Sequence, residues 1–192
     1  MVSKHILVSF LALTLLSACA GTRNSAQIGM VQLEDEFAWA PVEEQIAVGW
    51  VTQRAMQDSG LGYEIGAQFA WDTALIPVGS DMVGVASRNI EVWGGGRFEL
   101  VVDNVRPYLS GGLSILQAEA EFVLNNLSMT DNDTSFGFYL GAGIDLDISE
   151  TVFFGVGVRQ TFHEVELFGS IPGGGEFDAD FTQFFVRIGT TF

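Results

Sequence analysis

Over most of its length the chain alternates apolar with polar or small residues at a period of two, the mark of strands with two unlike faces. Tyr63, Ile65, Ala67, Phe69 and Trp71 stand against Glu64, Gly66, Gln68, Ala70 and Asp72. Ile90, Val92, Phe98 and Leu100 share one parity, and Glu91, Arg97 and Glu99 the other. Leu109, Gly111, Leu113 and Ile115 alternate with Tyr108, Ser110, Gly112 and Ser114; the parity slips near Leu116, where a bulge or a membrane edge is expected. Phe136, Phe138, Leu140, Ala142, Ile144 and Leu146 oppose Gly137, Tyr139, Gly141, Gly143, Asp145 and Asp147. Val152, Phe154, Val156 and Val158 oppose Phe153, Gly155, Gly157 and Arg159, and the ending FFVRIGTTF sets Phe184, Val186, Ile188, Thr190 and Phe192 against Arg187 and Gly189.

The connections sort into short turns at 102–104 and 148–151 and longer Gly- or Asx-containing loops at 73–86, 123–135 and 169–178. Strict alternation of short and long is how outer-membrane barrels are wired, with short turns on the periplasmic side. The strand over 61–73 must then be preceded by two more. Gln45 to Arg54 supplies one, with Ile46, Val48 and Trp50 on a single face; residues 27–39 supply the other more weakly, since Glu34, Asp35 and Glu36 interrupt any apolar alternation. An even count closes the sheet and removes its edges, so the expected fold is all-β: an eight-stranded antiparallel up-and-down transmembrane β-barrel.

The less apolar face decides between a membrane barrel and a soluble one. It carries many glycines together with Glu64, Glu91, Arg97, Glu99, Arg159 and Arg187. A narrow barrel interior needs small residues to offset large ones, and a buried charge needs a partner, so these six residues are read as an interior ion-pair network. The competing reading puts the same charges on the water-facing outside of a soluble barrel.

Composition fits the first of these. The chain is 48% hydrophobic with 23 glycines and 16 phenylalanines, yet no apolar run after residue 18 is long enough for a membrane helix. The formal net charge is -16, and beyond Lys4 the cations are arginines alone, which argues against a nucleic-acid partner. Residues 1–18 hold Lys4, an apolar stretch from Ile6 to Leu16 and then small residues, the layout of an export signal. Leu16-Ser17-Ala18-Cys19 resembles the lipobox of bacterial lipoproteins, in which the cysteine is acylated; the alternative is ordinary cleavage nearby with an inert Cys19. The expected organisation is a signal peptide at 1–18, a lipidated linker at 19–26 and a barrel domain at 27–192.

The stretches RPYLSGGLSIL (106–116), FGFYLGAGIDLDISETVFFGVGVRQTF (136–162) and FFVRIGTTF resemble the bacterial outer-membrane β-barrel domain of small OmpA-like and OmpX-like proteins. The resemblance implies residence in the bacterial outer membrane, contact with its lipids, and a terminal aromatic, here Phe192, read by the outer-membrane assembly machinery. Thr190, where an aromatic is common, and the lipobox are departures from that pattern.

Candidate chemistry is sparse. Some small barrels of this membrane act on acyl chains with a His-x-Ser-Asn arrangement, but here His163 is followed by Glu164 and Val165, with Val165 where the serine would be needed. His163 therefore reads as structural or rim-lying. Thr130-Asp131-Asn132-Asp133-Thr134 lacks the glycine and bidentate glutamate of a calcium loop and reads as a solvated loop tip. Neither Gly94-Gly95-Gly96 nor Pro172-Gly173-Gly174-Gly175 joins a strand to a helix as a phosphate cradle would. The expectation is a non-catalytic envelope protein with a structural or interaction role, no cofactor and no metal. The alternative is a lipid-anchored, lipocalin-like soluble barrel binding a small hydrophobic ligand.

Overall fold

A computed structural model describes residues 21–34, 39, 41–55, 60–78, 81–124, 127–168 and 175–192. Eight long strands close into an antiparallel barrel: β1 (Thr22–Leu33), β2 (Glu44–Ala55), β3 (Leu61–Val78), β4 (Asp81–Glu99), β5 (Val105–Leu124), β6 (Leu127–Asp147), β7 (Val152–Phe162) and β10 (Phe181–Thr191). Each strand pairs with its neighbour in sequence, and β10 returns to β1, with Arg23 opposite Thr191 and Leu33 opposite Phe181. The connection from β7 to β10 carries a separate hairpin, β8 (Glu164–Leu167) and β9 (Gly175–Asp178).

The outside of the ring is apolar. Leu113, Phe136, Phe138, Leu140, Ile144, Val156, Phe184 and Ile188 are all exposed, and they carry the parity that the alternation predicted for one face. Glu64, Glu91, Arg97, Glu99, Arg159 and Arg187 are buried on the other face, inside the ring. This is the inverse of a soluble barrel, whose core is apolar and whose wall is wetted, so the outward face is built to meet lipid. On β6 the apolar band runs from Leu146 to Phe136, and the same outward face continues with Thr134, Asn132, Thr130 and Ser128. The band is therefore about eleven residues of tilted strand, the length needed to cross a bilayer.

The structure departs from the sequence expectations at strand ends, and at Leu116 it supports the membrane edge over the bulge. β1 begins at Thr22, within the stretch expected to be linker (19–26), and ends at Leu33 rather than running to residue 39. Its first turns are polar on both faces, with Asn24 on the outward side bonded to Thr52 across the strand pair at 2.7 Å, so no apolar alternation marks them. Residues 73–78 and 81–86 are strand rather than loop, as are 123–124 and 127–135, because β3 to β6 rise well above the apolar band. There is no bulge at Leu116: pairing with both neighbours continues without a break. What changes there is the environment, since beyond the band the outward residues become Gln117, Glu119 and Glu121 while the inward ones become Leu116, Ala118 and Ala120.

The barrel interior thus has two parts. A polar core fills the section inside the apolar band. Above it, toward the tall rim, Val31, Leu33, Leu116, Ala118, Ala120 and Phe181 form an apolar layer, closed by Val165 and Leu167 of the β8–β9 hairpin and by Trp39, whose indole N–H donates to the Asp178 carbonyl at 2.9 Å.

Candidate functional site

The polar core is organised by a carboxylate that the expected network omitted. Asp145, on the inward face of β6, is fully buried and takes two hydrogen bonds from Arg187, both at 2.9 Å, and one from Arg97 at 3.0 Å. Arg23 approaches it to 3.6 Å and Gln53 donates to it at 3.3 Å. Asp145 shares the inward parity with Tyr139 and Gly143, and that parity is the signal that could have added it. Around this hub Arg97 reaches Glu64 at 3.3 Å and Glu99 at 3.4 Å, while Arg106 joins Glu99 at 3.3 Å to Asp147 at 2.6 Å near the short-turn rim.

Of the six residues expected in the network, Glu64, Arg97, Glu99 and Arg187 lie in this cluster. Arg159 and Glu91 form a second unit, 2.7 Å apart, with Gln68 donating to Glu91 at 2.9 Å and Arg159 donating to Gln183 at 2.9 Å. Sequence reasoning also missed Arg23, Arg106 and the aromatic supports. Arg97 lies 3.5 Å from the Tyr108 ring centroid, Arg159 3.6 Å from that of Trp93 and Arg23 3.9 Å from that of Phe153. An aromatic face holds a planar guanidinium where water is excluded, so each ring compensates part of the cost of burying the charge.

Glycines make room for these rings. A Cβ on Gly66 would collide with the Trp93 indole, and one on Gly143 with the Tyr108 phenol. The voids among the described residues are small: one bounded by Glu64, Trp93, Tyr108, Arg159 and Arg187 and another by Arg23, Gln53, Arg97 and Glu99 each hold about 10 Å³, room for a single water molecule. Bridged charges, stacked rings and the apolar layer above them fill the section that an aqueous channel would need.

His163 lies at the upper edge of the polar core. Its Nε2 is 2.9 Å from Ser114 Oγ and its Nδ1 is 3.4 Å from Ser135 Oγ, while its backbone N–H donates to Asp180 at 2.7 Å. Histidine and serine therefore do meet, through Ser114 on β5 rather than through position 165. Both are buried inside the ring, with no side chain on the lipid face. Asp180 accepts from the main chain, and among the described residues the ring's hydrogen-bond partners are the two serines. Asp131 and Asp133 are likewise taken up by the main chain, accepting from Phe168 N–H at 2.6 Å and Glu166 N–H at 2.8 Å. They are strand residues that dock the β8–β9 hairpin, where a solvated loop tip was expected. Phe192 is exposed at the seam where the barrel closes, its N–H donating to the Thr22 carbonyl at 3.0 Å. Cys19 and the 1–18 segment lie outside the described residues.

No protein-family model matches the chain, and no curated protein is detectably similar to it in sequence. Solved structures are similar in fold. The outer membrane protein OprG from Pseudomonas aeruginosa aligns over 90% of this chain and 96% of its own, with a TM-score of 0.59 at 16% identity. A major outer membrane protein from Thermus thermophilus aligns over 89% and 99%, with a TM-score of 0.58 at 10% identity. Neisserial surface protein A aligns over 90% and 98%, with a TM-score of 0.57 at 12% identity. At such identities the likeness is one of fold: the chain is an eight-stranded transmembrane barrel of the kind these small membrane proteins share.

Proposed function

We propose that this chain is an integral protein of the bacterial outer membrane with a structural or interaction role, without catalysis and without an open pore. The observation that carries the reading is the inverted face pattern: an apolar outer band around a closed, charge-paired interior. Such a band holds the protein among outer-membrane lipids, with the short turns in the periplasm and the tall β3–β6 wall outside the cell. The export-signal layout of residues 1–18 supplies the route, and Phe192 the terminal aromatic for the assembly machinery. Cys19 is read as an acylation site that adds an anchor to a barrel already held by its own wall; mass spectrometry of the mature N-terminus tests that part.

The filled interior favours interaction over transport, and the wall that rises above the band offers the surface for it. Cell fractionation tests the whole reading. After alkaline and urea washing, and with Cys19→Ser in place to remove any acyl anchor, the protein is expected to stay with the outer membrane. Release into the soluble fraction would contradict it and restore the lipid-anchored soluble barrel.

A further inference from the structure

The tall wall has an inward face that the β8–β9 hairpin covers only in part. Register places Phe122 opposite Met129 and Leu124 opposite Leu127 across β5 and β6, and Val85 opposite Phe122 across β4 and β5. Val83 continues the same face on β4. Phe168 packs on Phe122 with ring centroids 5.3 Å apart, and above that contact the face is exposed among the described residues: Leu127 is 76% exposed and Met129 43%. Lipid does not account for this exposure, because these side chains have the inward parity and an outward polar belt of Arg88, Glu119, Glu121, Thr130 and Asn132 separates this height from the band, although Leu75, Met82 and Val123 are exposed on the outward side of the same rim. An uncovered apolar face beyond the bilayer is the usual mark of a binding surface.

Its surroundings are acidic. Asp81, Asp131, Asp133, Glu164, Glu166 and Asp178 lie on the wall and the hairpin. Among the described residues, Arg88 is the one arginine or lysine above the band on the tall side, and it points outward, paired with Glu119 at 2.6 Å and Glu121 at 3.4 Å. In the hairpin itself Glu164 faces Asp178, a like-charge pair that costs stability and that a cation would relieve. A second copy of this chain would bring the same acidic surround, and anionic lipid headgroups would be repelled by it. We propose that this face docks a cationic amphipathic peptide segment arriving from outside the cell, its apolar side on Phe122, Leu124, Leu127 and Met129 and its lysines or arginines toward the carboxylates. The three strands β4 to β6 make the face about 10 Å wide, enough for one side of such a helix.

The inference rests on the outer-membrane reading, and one set of samples separates the two. The full mature chain is refolded into phosphatidylcholine nanodiscs, and the folded, protease-resistant form is measured on a gel. Binding of a short fluorescent leucine–lysine peptide is then compared with empty discs. The folded protein is expected to bind saturably above the empty-disc level, with affinity falling as salt rises. Leu127→Ser with Met129→Ser should weaken binding by about tenfold or more, and Glu164→Gln with Glu166→Gln should reduce its salt dependence. Binding no greater than to empty discs, equal binding of a leucine–glutamate peptide, or pairing of two copies in a disc with no peptide bound would overturn the proposal. Failure of the unsubstituted chain to take the folded form in lipid would contradict the barrel reading beneath it.

Discussion

Asp145 holds one negative charge among three guanidinium groups, those of Arg97, Arg187 and Arg23. A buried charge that loses its partner cannot recover its solvation, so Asp145→Asn should cost about 3–5 kcal/mol in urea titration of the protein in lipid vesicles. Glu91→Gln should cost less, because Arg159 keeps the Gln183 oxygen and the Trp93 face. Equal losses would mean that the interior has no hub. Above the bilayer, burial together with the nearby carboxylates of Asp178, Glu34 and Glu164 holds the Asp180 carboxyl above the ordinary carboxylate range. A raised acid destabilises the fold while it is ionised, and the penalty fades as pH falls through the raised value toward the ordinary range. Asp180→Asn, whose oxygen can still accept from His163 N–H, should therefore gain stability over the parent near neutral pH and lose that advantage on acidification. A gain that grows with acidification would contradict the assignment. Phe192 adds a third case. If it is read by the assembly machinery, deleting it should lower abundance in the outer membrane far more than it lowers the stability of detergent-refolded protein. Unchanged abundance would leave it as a strand end only.

Among the elements, the central parts of β3 to β7 and of β10 were legible because the bilayer imposes one rule on the outward face and interior crowding another on the inward face. Both rules weaken outside the bilayer. From Ser128 to Thr134 the outward residues of β6 are polar and the inward ones mixed, so a strand paired only with β5 at this height carries the composition of a loop. The apparent slip at Leu116 has the same cause, with the apolar side moving from lipid to core while the register continues. β1 was obscured at its start by Asn24, whose partner Thr52 comes from another strand and is invisible to local pattern. The network was half legible: parity identifies inward charges, but which carboxylate stands at the centre depends on strand stagger, which parity does not contain. Position along one strand gives a direct test. Leu140→Arg, near the middle of the band, should cost about 2–4 kcal/mol in lipid vesicles. Asn132→Arg, on the same face but above the band, should stay within about 0.5 kcal/mol. Similar costs at both sites would place the membrane boundary elsewhere.

For the molecule as a whole, the parts divide by height. The band and the polar core beneath the hairpin make a closed, lipid-embedded support, and the β3–β6 wall presents its surface beyond it. On the reading proposed above, such a division gives recognition to the exposed part and stability to the barrel, the arrangement expected when function sits on a rigid scaffold. All of this depends on which face meets lipid. The direct measurement is tryptophan quenching by brominated phospholipids in two single-tryptophan proteins. One retains Trp93, buried inside the ring over Arg159, with Trp39, Trp50 and Trp71 changed to Phe. The other carries Phe138→Trp, on the exposed outer band, with all four native tryptophans changed to Phe. Strong quenching at position 138 and little at Trp93 is the predicted result; quenching at neither position, or more at Trp93 than at 138, would contradict the lipid-facing assignment.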